Sequence, residues 1–250
     1  MVSDAELVRH LQECAARAQP AEHVVHFEGW WLRYSASRSW WLSSVLPHGD
    51  ASGDDLLRLV EATERFSAAN STRTTFQLTP SVCPAQFDKL LAGRSFERRG
   101  SMSLQTAPVA HVMDRLEPPV VQVEVTLAPD DAWLAVWADT NGADADLERE
   151  LLGRLDRPAA YASAVFDGKV VAVGRTVIDS GWAGIFGMAT LPAARGRRAA
   201  SAVLARLASY AREQGRAGLY LQVERDNQPA MRLYQRSGFS QVSGYHYRQR

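Results

Sequence analysis

Polar and apolar positions change period several times along the chain, and each change marks an element. Residues 4–18 carry a polar amphipathic pattern at helical spacing, which predicts a first helix. Beyond Pro20 the apolar residues Val24, Val25, Phe27, Trp31, Trp40, Trp41, Leu42 and Val45 cluster with strand character. Leu56, Leu57, Val60 and Phe66 return to helical spacing, so a helix is expected from an Asp54 cap to about Ala69. A strand (TTFQLTP), a short helix ending at Gly93 and another strand follow. Pro108, Pro118 and Pro119 then punctuate residues 107–119, which read as a linker between domains.

The second half restarts with alternation in VVQVEVTLAP. Asp130 and Asp131 open a helix through Trp133, Val136 and Trp137, and an acidic helix covers 144–152. A strand at 161–166 turns at Asp167-Gly168, a strong hairpin signal, and returns as KVVAVGRTVID. AGIFGMAT supplies a third antiparallel strand. From Ala199 a helix sets Val203, Leu204 and Leu207 on one face. LYLQVE is the next strand, and a turn with Asn227 and Pro229 leads into a short helix that carries Tyr234 and stops at Gly238. An order of strand, Pro-Ala turn, short helix, Gly, Phe and strand occurs in both halves, so the first reads as a diverged copy of the second.

Composition narrows the class. The chain has 250 residues, 46% of them hydrophobic and 22% charged, ordinary values for a globular protein with an ample core. No apolar run approaches the ~20 residues of a membrane span, and no signal peptide is evident. Cys14 and Cys83 form no framework and lie in no metal-spaced cluster, so reduced thiols in a cytoplasmic protein without a metal are expected. The net charge of zero conceals an asymmetry. Residues 181–250 carry 11 arginines against 3 acidic residues, a net of +8, which the first 180 residues balance with −8. Such clustering suits a polyanionic partner, either a phosphorylated cofactor or an RNA; no DNA or membrane partner is indicated.

The basic cluster centres on the passage from strand to helix between Trp182 and Leu204. Orphan N–H groups and the macrodipole make a helix start an anion site, and Arg195, Arg197 and Arg198 add full charges there. The same residues would equally suit a solvated loop. Arg195-Gly196-Arg197-Arg198-Ala199-Ala200, the strand 219–224, and the block Asn227, Pro229-Ala230, Leu233-Tyr234, Gly238-Phe239 together resemble the GNAT superfamily of acyl-CoA N-acyltransferases. The resemblance spans roughly the last half of the chain. It departs at the fourth position of the turn, where the family's glycine is replaced by Arg198, a side chain that either clamps the phosphates or crowds them.

The resemblance implies an α/β fold, a mixed and mostly antiparallel sheet flanked by helices, with a GNAT domain over 120–250 and a diverged GNAT-like domain over 1–115. It implies acyl transfer from acetyl-CoA or another acyl-CoA to the amine of a small molecule. The amides of Arg195, Gly196, Arg197, Arg198, Ala199, Ala200 and Ser201 would grip the pyrophosphate. The backbone of Met188, Ala189 and Thr190 would pair with the pantetheine arm, assisted by Asn227, and Tyr234 would protonate the leaving sulfur. Glu224 and His246 are candidates for the base, as is a water chain. Trp30, Arg33, Arg38 and Trp40 could stack a flat acceptor, or the tryptophans could simply pack inward. The charge asymmetry and Arg198 keep two alternatives open: aminoacyl-tRNA as donor, and a binding module without catalysis.

Overall fold

A computed structural model describes residues 4–36, 40–116 and 121–250. The elements in chain order are α1 (Asp4–Ala18), β1 (His23–Phe27), β2 (Trp30–Tyr34), β3 (Leu46–Pro47), α2 (Gly53–Ala69), β4 (Thr75–Leu78), α3 (Phe87–Gly93), β5 (Glu97–Pro108) and α4 (Val109–Arg115). They continue as β6 (Gln122–Thr126), α5 (Asp131–Asn141), α6 (Ala145–Gly153), β7 (Ala159–Phe166), β8 (Lys169–Asp179), β9 (Trp182–Thr190), α7 (Ala199–Glu213), β10 (Gly218–Glu224), α8 (Gln228–Arg236) and β11 (Ser240–Gln249).

Two compact units emerge. The first holds residues up to Ser103 together with Glu224–Asp226 and Val242–Arg250; the second holds Leu104–Val223 and Asn227–Gln241. The division after Ser103 lies within β5 and not in the proline-marked stretch, and the last nine residues belong to the first unit. Residues 107–116 are also no linker. Pro108 sits at the N-cap of α4, where its fixed φ suits a helix start, and Val109 and Val112 are buried. The cap of α2 is likewise Ser52, with Asp54 inside the first turn, a place that the helix dipole favours for a carboxylate.

The first unit packs Trp30, Leu56, Leu59, Val60, Phe76, Phe87 and Phe96 into one core. Strands β1, β2 and β3 form a small antiparallel sheet, and β11 runs antiparallel to β4 with His246 opposite Leu78.

In the second unit the strands follow the order β6-β7-β8-β9-β10, antiparallel except for the parallel pair β9–β10. Both hairpins turn on two residues with positive φ, Asp167-Gly168 and Ser180-Gly181, as I′-type turns require. Helix α7 buries Val203, Leu204, Leu207, Ala208 and Ala211 against Ala162, Ala164, Ala172 and Ile185. Small residues on that face let the helix axis approach. Side chains alternate along β7, so Tyr161 points to the other face, where it meets Trp133 of α5 edge-on at 5.4 Å. Trp133 is fully buried, and its indole N–H donates to the Gly174 carbonyl at 3.1 Å.

Candidate active site

The geometry of β9 builds the site. Val173 pairs with Ala189 and Arg175 with Phe186, so Gly187 and Met188 together oppose Gly174. This is a β-bulge, and Gly187 takes a φ of +59° that a side chain would strain. Parallel pairing to β10 starts at Gly218–Trp182 and stops at Leu221–Ile185, two residues before Gly187. No further pairing between these strands occurs among the described residues. The bulge turns β9 away from its neighbour, so the strand edge at Met188, Ala189 and Thr190 no longer faces a partner in β10. Such an edge is a ready partner for an extended amide-bearing chain.

The chain then leaves β9 through Leu191, whose N–H is held by the Val171 carbonyl at 2.9 Å. A 3-10 turn at Pro192–Ala194 leads to Arg195, Gly196, Arg197 and Arg198, all exposed. The amides of Arg195 and Arg197 are spent inside the turn, on the carbonyls of Pro192 and Ala194. Those two N–H groups therefore drop out of the expected anion grip. The first-turn amides of α7, on Ala199, Ala200 and Ser201, have no carbonyl four residues back within the helix. Arg198, the N-cap, adopts φ 64° and ψ 11°, the left-handed region. That conformation explains why a glycine is at home in this position. The Arg197 guanidinium lies 4.1 Å above the Phe166 ring, which fixes one cation at the helix start.

Asn227 is exposed and caps α8, its Oδ1 accepting from the Ala230 N–H at 3.2 Å. Its amide nitrogen is left by this bond for an approaching ligand. Tyr234 is 6% exposed and belongs to the same core as Val203 and Leu221, with its ring 5.7 Å from Phe239. Burial pushes its phenol up to about 12. The raised value favours the protonated phenol, which can donate a hydrogen bond.

The two base candidates differ. Glu224 ends β10 with an exposed side chain. His246 is buried, and its Nε2 is bound to Asp88 Oδ1 at 2.8 Å, an oxygen that also accepts from Arg248 Nε at 2.8 Å. Burial holds the imidazole below its ordinary value. His246 is thus a fixed member of an ionic knot in the first unit.

Of the residues expected to stack an acceptor, Trp30 is fully buried between Phe76 and Phe87, because β2 turns it inward. It is core, not binding surface. Arg33 is also buried, donating to the carbonyls of Ala16 in the last turn of α1 and Gln19 just past its end; burial draws its guanidinium down to about 10. It serves as a helix C-terminal cap. Arg38 lies outside the described residues. Trp40 is 42% exposed and lines a surface pocket of about 340 Å³ with Tyr34 and Arg73. Among the described residues no cluster of His, Cys, Asp or Glu is placed to hold a metal, and no helix is long and apolar enough to cross a membrane.

Sequence reading missed the bulge and the left-handed Arg198. An isolated glycine within an apolar strand run, Gly187, was the available signal for the first. It also passed over Arg175, which is 2% exposed beneath α5 and stacks on Phe186 at 4.9 Å.

Residues 125–239 match the Acetyltransferase (GNAT) family. The chain is 24% identical over 250 residues to YobR of Bacillus subtilis (strain 168), described as an uncharacterized N-acetyltransferase; the match covers 96% of this chain and 98% of that one. In structure it is similar to a GCN5-related N-acetyltransferase from Kribbella flavida, with a TM-score of 0.74 at 17% identity, covering 100% of this chain and 96% of the other. A tandem GNAT protein from the clavulanic acid biosynthesis pathway gives a TM-score of 0.65 at 14% identity over 87% and 76% of the two chains. The whole chain thus shares a two-part α/β fold with such proteins. With the bulged strand, the splay and the helix start in sequence, residues 125–239 form a GNAT acetyltransferase family domain.

Proposed function

We propose that the protein moves an acetyl group from acetyl-CoA to the amine of a small molecule. The single observation that carries the reading is the parting of β9 from β10 at Ile185, directly ahead of a basic helix start. The residues fit the donor. The unpaired edge at Met188–Thr190 offers alternating N–H and C=O groups to the amides of a pantetheine arm. The amides of Ala199, Ala200 and Ser201, with the charges of Arg195, Arg197 and Arg198, suit a diphosphate. The donor supplies an activated thioester carbonyl.

The remaining chemistry falls to the chain's own groups. A backbone N–H of the bulged segment stabilises negative charge developing on the carbonyl oxygen. Tyr234 donates a hydrogen bond to the departing sulfur. A free thiol ionises near pH 8.5, so full proton transfer to its thiolate from a phenol at about 12 is uphill; the bond works by partial charge relief. Of the two base candidates, Glu224 has the carboxylate open to receive a proton, whereas His246 is held by Asp88. Aminoacyl-tRNA as donor rests on the charge asymmetry and on Arg198, since Trp30 of the aromatic hairpin is buried in a core.

Calorimetry with acetyl-CoA tests the reading: binding in the micromolar range is expected, and silence at millimolar donor would remove it. Titration with bulk tRNA on a salt series separates the donors, since tRNA binding would fall steeply with salt. Tyr234→Phe should lower the rate of thiol release by ~10²-fold with unchanged donor affinity. An unchanged rate would take Tyr234 out of the chemistry.

A further inference from the structure

Among the described residues, Arg175 is the most deeply buried cation that the chemistry above leaves unused. It lies on β8 directly opposite Tyr161 of β7 and Phe186 of β9, so all three side chains share the sheet face covered by α5. Tyr220 joins them: it pairs with Gly184, two residues before Phe186, and its ring is 5.9 Å from Phe186. Gly184 has to be a glycine, because an added Cβ would collide with both rings. Arg175 is 2% exposed, and neither Nε nor Nη1 has a hydrogen-bond partner among the described residues. Glu148, also buried, attracts the guanidinium electrostatically but supplies neither nitrogen with a hydrogen bond.

A buried guanidinium stacked on one face and unsatisfied at its edge is costly to keep. Folding alone would favour an apolar residue there. The position is informative as well, since Phe186, its cross-strand partner, is the first residue beyond the point where β9 and β10 part. The unsatisfied cation therefore stands at the level of the reaction centre, on the face away from α7.

We propose that Arg175 receives a carboxylate of the acyl acceptor, so that the substrate is a small amine that also carries a carboxylic acid. The proposal rests on the acyl-transfer reading above and adds the acceptor class to it. A planar guanidinium is matched by a carboxylate in shape and charge. Phe186, Tyr161 and Tyr220, themselves buried, surround the guanidinium, so a compact anion suits the position better than a polymer. Glu148, on the same buried cluster, is placed to favour the ammonium end of such a molecule and to repel a doubly anionic one.

The test uses the full chain with propionate and propionamide, two probes of one shape that differ in charge, at matched ionic strength. Propionate should raise the melting temperature in a saturable way and propionamide should not. Arg175→Met should weaken the propionate response by ~10-fold or more, melt no lower than wild type, and bind acetyl-CoA within about twofold of wild type. Equal responses to the two probes, no response to either, or a methionine variant that answers propionate as wild type does would each overturn the proposal. If the methionine variant does not fold, the two-probe comparison on wild type decides by itself, with Arg175→Lys expected to keep a weakened response. Failure of acetyl-CoA to bind wild type would overturn the donor reading instead, and the propionate arm would read independently of it.

Discussion

Arg198 shows how much one backbone conformation can carry. Its φ of 64° places an L side chain where Cβ crowds the backbone, at a cost of ~1 kcal/mol. A glycine would remove that cost while losing some chain entropy on folding. Arg198→Gly should therefore stabilise the protein by about 0.5 kcal/mol, or ~1–2 °C in melting temperature. The same change removes an exposed cation from the helix start. Donor affinity should fall by ~3- to 10-fold at low salt, and the deficit should shrink as salt is added. Calorimetry at two ionic strengths checks both arms; tighter binding by the glycine variant would mean that the side chain crowds the cradle. The sequence displayed the departure from glycine but not its sign. The left-handed conformation supplies the reason for the family's preference, since residue type alone does not reveal φ.

Gly174 sets the spacing between β8 and α7 at the scale of an element. A Cβ there would lie 2.9 Å from Val203 Cγ1 and 3.3 Å from Leu207 Cδ1, and would also run into the Met188 sulfur. Met188 can swing away, whereas the branched Val203 on a packed helix cannot. Gly174→Ala should cost ~1–3 kcal/mol by overpacking, read as a lower midpoint in urea denaturation. A midpoint within error of wild type would show that α7 is free to shift. Most elements were legible because their signals are local. Asp130 and Asp144 accept hydrogen bonds as N-caps, and Asp167-Gly168 turns as its residue types demand. The helix at 109–115 was hidden because Pro108 reads as a breaker but in the fold serves as the N-cap that starts α4. The bulge at Gly187 was hidden because it is a property of two strands in register, and one strand's pattern cannot show an extra residue.

The whole molecule depends on contacts that join distant parts of the sequence within each unit. Asp88 on α3 accepts from His246 and Arg248 on β11, pairs separated by more than 150 residues. The Arg248 hydrogen bond, foremost, and His246 hold the Asp88 carboxyl down to about 2 against its partial burial. That contribution is complete above the unfolded carboxylate value near 4 and is lost as pH falls through about 2. His246 adds to the trend: burial depresses its pKa, so its contribution is complete above about 6.5 and erodes as pH falls below that. Asp88 is 42% exposed, which discounts its share to ~1 kcal/mol. Asp88→Asn should lower stability by about that amount at pH 7 and flatten the decline between pH 4 and 2. Melting curves on a pH series check this, and parallel wild-type and variant profiles would refute it.

Local chemistry, written into the sequence, determined the element order, the hairpins, the caps and the charge gathered beside one helix start. Those features arise from neighbours within a few residues, and they sufficed to identify the strand-turn-helix passage and its resemblance. Tertiary structure alone decided which side chains face inward. It made Trp30 and Arg33 parts of a core, tied His246 to Asp88, and left Arg175 buried with unfilled hydrogen bonds. Burial and pairing are relations between segments that lie far apart along the chain, and no single stretch of residues encodes its own partner.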